Sequence, residues 1–285
     1  MPPPHATRLD GRPARSCCPS AARGLAGVAL GWLLATTPAL ADIEIDVEGV
    51  DADLRRNVLA FLSLERYKER DDLDEALMER LQERAVRETR NALRPFGYYE
   101  PKVESQVSRD GARSWRARIR IEPGRPVVME EVTVQVLGPG VDNPSLRRIV
   151  DSPLLRPGDR LSHAAYETIK GDLTRTAATL GYLDAKLTRN ELVVDPPNHV
   201  ARAALVLETG FRYRFGATTI EQDVINETLL RRFVRYEQDD PYDATQLLRT
   251  QFALDDSQYF ATVEVLPQQR DKDKLTVPIR ISATA

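Results

Sequence analysis

The segment Ile43-Glu44-Ile45-Asp46-Val47 alternates apolar and polar side chains, which puts Ile43, Ile45 and Val47 on one face of a strand. The period then lengthens. A helix is predicted over residues 52–64, and a second over 72–94 places Leu73, Leu77, Leu81 and Val86 near helical spacing among Glu and Arg. Pro95 cannot continue that helix and Gly97 can take the left-handed cap, so it should end there. Alternation returns over 102–108 and 115–122, joined by a turn at Asp110-Gly111. In the second of these strands Trp115, Ala117, Ile119 and Ile121 face inward, while Arg116, Arg118, Arg120 and Glu122 face out.

The same order recurs twice. A strand at 127–137, helices at 144–151 and 162–180, and strands at 184–194 and 200–208 form a second unit, its hairpin turned by Pro196-Pro197-Asn198. A strand at 212–220, helices at 224–235 and 243–256, and strands at 260–266 and 275–282 form a third. Each first helix carries a Leu-Arg-Arg triplet: Leu54-Arg55-Arg56, Leu146-Arg147-Arg148 and Leu230-Arg231-Arg232. Each second helix ends in an aromatic corner: Gly97-Tyr98-Tyr99, Gly181-Tyr182-Leu183 and Gln258-Tyr259-Phe260. Tyr98 and Tyr182 lie 84 positions apart, and Tyr182 and Tyr259 lie 77 apart, too far for a solenoid repeat and about the size of small domains. The prediction is an α+β chain of three tandem β-α-α-β-β modules over 42–124, 125–209 and 210–285, following a leader at 1–41. Junctions at Glu122-Pro123-Gly124-Arg125-Pro126 and Glu208-Thr209-Gly210 are short, so the modules should follow end to end. Pro278 sits inside the last strand, which requires either an edge strand or a bulge there.

Residues 1–41 read as a secretory signal: Arg8, Arg12, Arg15 and Arg23 precede an apolar run from Leu25 to Leu34, and Ala39-Leu40-Ala41 offers a cleavage site. The alternative, an uncleaved anchor, needs a run of roughly 20 apolar residues. Both cysteines, Cys17 and Cys18, fall in this segment, so a processed chain holds no thiol and each module must rest on its apolar core. The chain carries a net charge of −3, and loss of four arginines and one aspartate with the leader makes it more acidic, which leaves no nucleic-acid footprint. Beyond the leader only His163 and His199 remain as histidines, in different segments, with no nucleophile elbow, zinc-protease helix or phosphate-cradling loop. The acid pairs Asp71-Asp72, Asp239-Asp240 and Asp255-Asp256 fall at turns and helix ends without the ring of oxygens a calcium site needs. No catalytic residue, metal site or cofactor is expected, and a string of like modules points to a binding scaffold.

These features resemble a known family. An exported chain of three such units, with Leu-Arg-Arg first helices, Gly-Tyr corners and Pro241-Tyr242-Asp243 opening a helix that ends in Ser257-Gln258-Tyr259-Phe260, is similar to the POTRA (polypeptide-transport-associated) region of the Omp85 superfamily. Within it, the stretch from Ile43 to Leu62 and Arg94-Pro95-Phe96-Gly97-Tyr98-Tyr99 look most like the TamA type, the outer-membrane subunits of the translocation and assembly module. The third corner departs from the pattern in lacking the glycine. Members of the family continue into an outer-membrane β-barrel, whereas this sequence stops at Ala285 after the third unit. It therefore looks like the periplasmic half of such a protein, truncated or barrel-less. The resemblance implies three-stranded mixed sheets packed on two helices and an exported protein at the periplasmic face of the outer membrane, or in the soluble periplasm if no barrel follows. It further implies a role in assembling outer-membrane proteins, including autotransporters. The implied partners are an inner-membrane-anchored, TamB-like protein and unfolded outer-membrane clients. A link to phospholipid transport comes with the same resemblance. The alternative is a free, chaperone-like polypeptide-binding module with no barrel in cis.

In this fold the strand after the second helix lies at the sheet edge, here Lys102 to Val107, Ala185 to Val193 and Ala261 to Leu266. Its unpaired backbone groups accept an extended chain as an added strand. The candidate partner-binding positions are Val103, Ser105, Val107, Leu187, Arg189, Val263 and Val265. The same edges are open to the opposite reading, in which Lys102, Glu104, Lys186, Arg189 and Glu264 blunt them against pairing. The row Arg116, Arg118 and Arg120 is either a contact for acidic headgroups or partners, or a solvated strand face. Gly97, Tyr98, Gly181, Tyr182 and Tyr259 are read as structural corners.

Overall fold

The computed structural model describes residues 42–70, 72–111 and 114–285, so the leader reading at 1–41 lies outside the described residues. The first module runs β1 (Asp42–Glu48), α1 (Ala52–Phe61), α2 (Ser63–Arg66), α3 (Glu75–Leu93), β2 (Lys102–Arg109) and β3 (Ser114–Glu122). The second runs β4 (Val128–Leu137), α4 (Pro144–Asp151), α5 (His163–Thr179), β5 (Lys186–Asp195) and β6 (Val200–Glu208). The third runs β7 (Arg214–Glu221), α6 (Glu227–Leu230), α7 (Ala244–Asp256), β8 (Thr262–Pro267) and β9 (Thr276–Thr284). Each module folds its three strands into one mixed sheet of order β1-β3-β2, β4-β6-β5 or β7-β9-β8. The first strand pairs parallel to the last, and the hairpin pairs antiparallel. The result is an α+β architecture of three POTRA-like modules.

Period-two burial explains why these sequences make these sheets. Ile43 and Val47 of β1 meet Trp115, Ala117, Ile119 and Ile121 of β3 in one core, and α3 closes it with Met78, Leu81, Ala85, Ala92 and Leu93. The second core gathers Met129, Leu146, Tyr166, Ile169, Leu173, Leu205 and Leu207, the third Phe215, Leu230, Tyr242, Leu254, Val277, Ile279 and Ile281. In every Leu-Arg-Arg triplet the leucine is buried and both arginines are exposed, so the motif marks where a short amphipathic helix seats on its sheet.

Three expectations about elements change. The helix expected over 52–64 breaks at Leu62, whose backbone is extended (φ −69°, ψ 126°). Glu88 of α3 accepts from both the backbone N–H (2.7 Å) and the hydroxyl of the buried Ser63, which anchors the start of α2. The second helix starts at Glu75, capped by Asp74, whose carboxylate accepts from Leu77 N–H at 2.7 Å. Leu73 therefore precedes the helix, and the residues that seal the core are Met78, Leu81 and Ala85, with Leu77 and Val86 flanking them. The helix expected over 224–235 shrinks to Glu227–Leu230 and a single 3-10 turn, Arg231–Phe233.

Pro278 lies on β9, the central strand of its sheet, which rules out the edge-strand alternative. The irregularity is in its neighbour: the β7 register shifts between Phe215 and Thr218, and the backbone at Gly216 approaches Pro278 so closely that a Cβ there would stand 3.0 Å from the proline nitrogen. Gln268 N–H donates to the Pro278 carbonyl at 2.8 Å, so the missing donor of Pro278 faces the point where β8 has already ended.

Candidate partner-binding edges and inter-module junctions

β2, β5 and β8 each form one edge of their sheets. The side chains of Val103, Val263 and Val265 point into the cores, and Ser105, Val107 and Leu187 are half-buried, so what these positions offer outward along the edge is backbone. Antiparallel pairing alternates bonded and non-bonded residue pairs. Val107 N–H donates to a side chain of α3 and is not engaged with β3, which assigns the backbone groups of Val103, Ser105 and Val107 to the free side of β2. In the third sheet the bonded pair Gln268 and Pro278 sets the same alternation and assigns Val263 and Val265 to the free side of β8. β5 differs: its register shifts between Leu187 and Arg189, and the exposed Arg189 pairs with Glu191 at 3.0 Å. Lys102 pairs with Glu122 across its own hairpin at 3.4 Å.

The opposite edges are partly sealed by straps that the sequence pattern did not reveal. Met129 N–H donates to Asp159 O and Gly158 N–H to Met129 O, both bonds lying along β4. Phe215 N–H donates to Asp240 O and Asp239 N–H to Phe215 O along β7. Gly158 (φ 91°) and Asp239 (φ 68°) supply the left-handed turn each strap needs, and the Pro-Gly pair at 157–158 was the available signal.

The row Arg116, Arg118 and Arg120 is not a free cationic surface. Arg116 pairs with Glu44 (2.9 Å) and Asp110 (2.7 Å), Arg118 with Glu48 (3.5 Å) and Asp46 (3.9 Å), and Arg120 with Glu48 (3.6 Å). The parallel register of β1 on β3 places one acid row beside one basic row, and solvent exposure keeps each pair worth no more than about 1 kcal/mol.

The first two aromatic corners sit where one module meets the next. Gly97 O accepts from Val127 N–H at 2.8 Å, and Gly181 O accepts from Tyr213 N–H at the same distance. Both glycines are left-handed (φ 86° and 88°), and a Cβ would lie 2.9 Å from Leu161 O at the first and 2.8 Å from Tyr242 O at the second. At the first junction Arg160 donates to the Tyr98 hydroxyl (3.1 Å), and the Tyr99 hydroxyl lies 2.8 Å from His163 Nε2. Burial holds the His163 pKa below its usual value, so the ring that shares this hydrogen bond is neutral at pH 7. At the second junction Asp184 accepts from the Tyr213 hydroxyl (2.7 Å) and from Arg270 (2.8 Å), whose other nitrogen donates to Leu183 O. Arg212 reaches Leu180 O at 2.6 Å. Burial and the Asp184 carboxylate both raise the Tyr213 pKa, which keeps its hydroxyl a donor. Tyr182 is buried in the second core. Tyr259 is 46% exposed, and Gln258 holds the same left-handed conformation (φ 59°) with a side chain in place of glycine.

Among the described residues no group of three His, Cys, Asp or Glu is placed to hold a metal ion, and no helix is long and apolar enough to cross a membrane.

Sheet order and the strand-helix-helix-hairpin sequence define a fold of three POTRA-like modules. Over the first module, residues 44–123 match the family model for POTRA domain TamA domain 1. Among solved structures, the chain is similar to BamA POTRA domains 3–5 of Haemophilus influenzae, with 16% identity and a TM-score of 0.48, over 86% of this chain and 97% of that one. It is also similar to POTRA domains 1–3 of Omp85 from Anabaena (15%, TM-score 0.31, covering 86% and 94%). A third likeness is to CdiB from Acinetobacter baumannii (13%, TM-score 0.33), of which it spans 30% while 56% of this chain is matched.

Proposed function

We propose that the chain is the periplasmic POTRA scaffold of a TamA-like outer-membrane assembly factor, with module boundaries at 42–124, 125–209 and 210–285. In this reading it docks a TamB-like, inner-membrane-anchored partner and unfolded outer-membrane clients, autotransporters among them, and performs no catalysis. The leader exports it, and a barrel outside this sequence ties it to the outer membrane. The observation that carries the reading is that β2, β5 and β8 each form an edge of their sheet, one per module, on a fold whose first module matches the TamA family model.

The physics favours transient capture. An extended segment that makes about four ladder bonds at roughly 0.5–1.5 kcal/mol each gains about 2–6 kcal/mol before the cost of association. That is tens of micromolar at best from one edge. Weak, repeated capture suits hand-over of a client, and several edges acting on one chain raise the avidity.

Proline at Val263 tests the mechanism, because this residue turns its N–H away from the hairpin partner and the substitution removes no internal ladder bond. The variant should fold and lose affinity for an unfolded outer-membrane protein. Unchanged affinity would sink strand addition at this edge.

A further inference from the structure

The first module's edge is not vacant. Gln82 projects from α3 across β2 and donates from Nε2 to Ser105 O (3.1 Å) while its Oε1 accepts from Val107 N–H (3.2 Å). One N–H given to the carbonyl of residue i and one carbonyl offered to the N–H of residue i+2 are the two bonds that a single residue of a parallel strand would make on this edge. The amide of Gln82 is chemically a peptide group, and it sits where an incoming backbone would sit.

The other modules lack the device. Ser105 lies opposite Ile119, three residues from the end of β3, and the corresponding positions are Asn190 opposite Leu205 and Val265 opposite Ile281. In the second module the helix residue at this place is Tyr166, whose hydroxyl donates to the Asn190 side chain (2.7 Å) and leaves the strand backbone alone. In the third, no side chain of α7 bonds β8 among the described residues, and Pro267 limits the open stretch to Val263 and Val265. Ser105 Oγ, on the strand segment that Gln82 covers, is buried with no hydrogen-bond partner among the described residues.

We propose that Gln82 is a built-in competitor for strand addition, holding the first module's β2 edge closed to extended polypeptide until its amide is displaced, while β8 of the third module stands open. This rests on the strand-addition reading above and adds an order to it: chains pair first where no side chain must leave.

The test uses the chain from Asp42 onward, in wild-type form and as Gln82→Met, which keeps length and packing without the amide. Gln82→Glu, which keeps an acceptor for Val107 N–H but no donor for Ser105 O, is the second variant should the first misfold. The probe is an end-capped, lysine-flanked peptide of alternating valine and threonine, and the readout is residue-resolved amide hydrogen exchange. Without probe, Gln82→Met should speed exchange at Val107. With probe, wild type should be slowed at Val263 and Val265 but not at Val107. Gln82→Met should be slowed at Val107 as well, its first module binding about 5- to 100-fold more tightly for two hydrogen bonds released from competition, and Gln82→Glu should fall between. Equal Val107 exchange in wild type and Gln82→Met, or equal probe protection there, overturns the competitor role alone. Absence of protection at every edge in all variants removes strand addition itself, and this proposal with it.

Discussion

A methyl group at Gly97 should uncouple the first module from the second. Gly97 has φ 86°, and its added Cβ would stand 2.9 Å from Leu161 O and 3.3 Å from Val127 O, both belonging to the next module. The left-handed backbone alone costs a non-glycine residue roughly 1–2 kcal/mol. Relieving the contact requires the junction to open, which forfeits the Val127 N–H to Gly97 O bond and its neighbour from Arg160 to Tyr98, about 1 kcal/mol each. Gly97→Ala should therefore destabilise the first module by about 3–4 kcal/mol, summing these terms. Trp115, buried in that module's core and the one tryptophan beyond the leader, reports its unfolding by fluorescence in urea for a chain beginning at Asp42. The third corner supplies the control. Gln258 holds the same conformation, so Gln258→Gly should stabilise its module by about 1 kcal/mol. A Gly97→Ala midpoint corresponding to less than about 0.5 kcal/mol of destabilisation would refute the reasoning, since even the backbone penalty alone is larger.

Two further outcomes follow from named contacts. Glu88→Ala should cost the first module about 1–3 kcal/mol by leaving the buried N–H of Ser63 unpaired and its hydroxyl without an acceptor, read from the same Trp115 transition, whereas Glu88→Gln should recover part of the loss. Because burial lowers the His163 pKa, the folded chain binds fewer protons than the unfolded one near pH 6.5, so the stabilisation at the Tyr99–His163 junction is complete above that value and lost as pH falls below it. The Trp115 midpoint should drop on acidification from about pH 7.5 to 5.5 by more in wild type than in His163→Asn, and an identical drop in both would contradict the assignment.

The architecture was largely legible in the sequence because each strand buries alternate residues. Ile43 and Val47, or Trp115 to Ile121, announce their face through period two, and Gly97 with Pro95 marks a helix end through backbone chemistry alone. Where elements are shorter than their apolar pattern, the sequence misled. Ser63 looks like a helix interior until Glu88, 25 residues away, claims its N–H. The third module's first helix has one buried leucine and gives way to a 3-10 turn. Pro278 was ambiguous because the irregularity that accommodates it sits on β7, more than 60 residues upstream. The corner glycines were visible, yet half of their reason was not: a positive φ can be guessed from Gly-Tyr after a helix, but the carbonyls of Leu161 and Tyr242 that exclude a Cβ belong to another module. Likewise the edge positions could be named from strand order, whereas Gln82 reads as an ordinary helix residue until its amide is seen lying along β2.

Whether extended polypeptide is received on the backbone edges of these sheets is read from residue-resolved hydrogen exchange on the full chain with an unfolded outer-membrane β-barrel protein. Exchange should slow at Val263 and Val265 and along β5, with the helix faces unaffected. Protection confined to α1, α4 or α7, with the edge amides exchanging as in the free chain, would contradict strand addition at these edges.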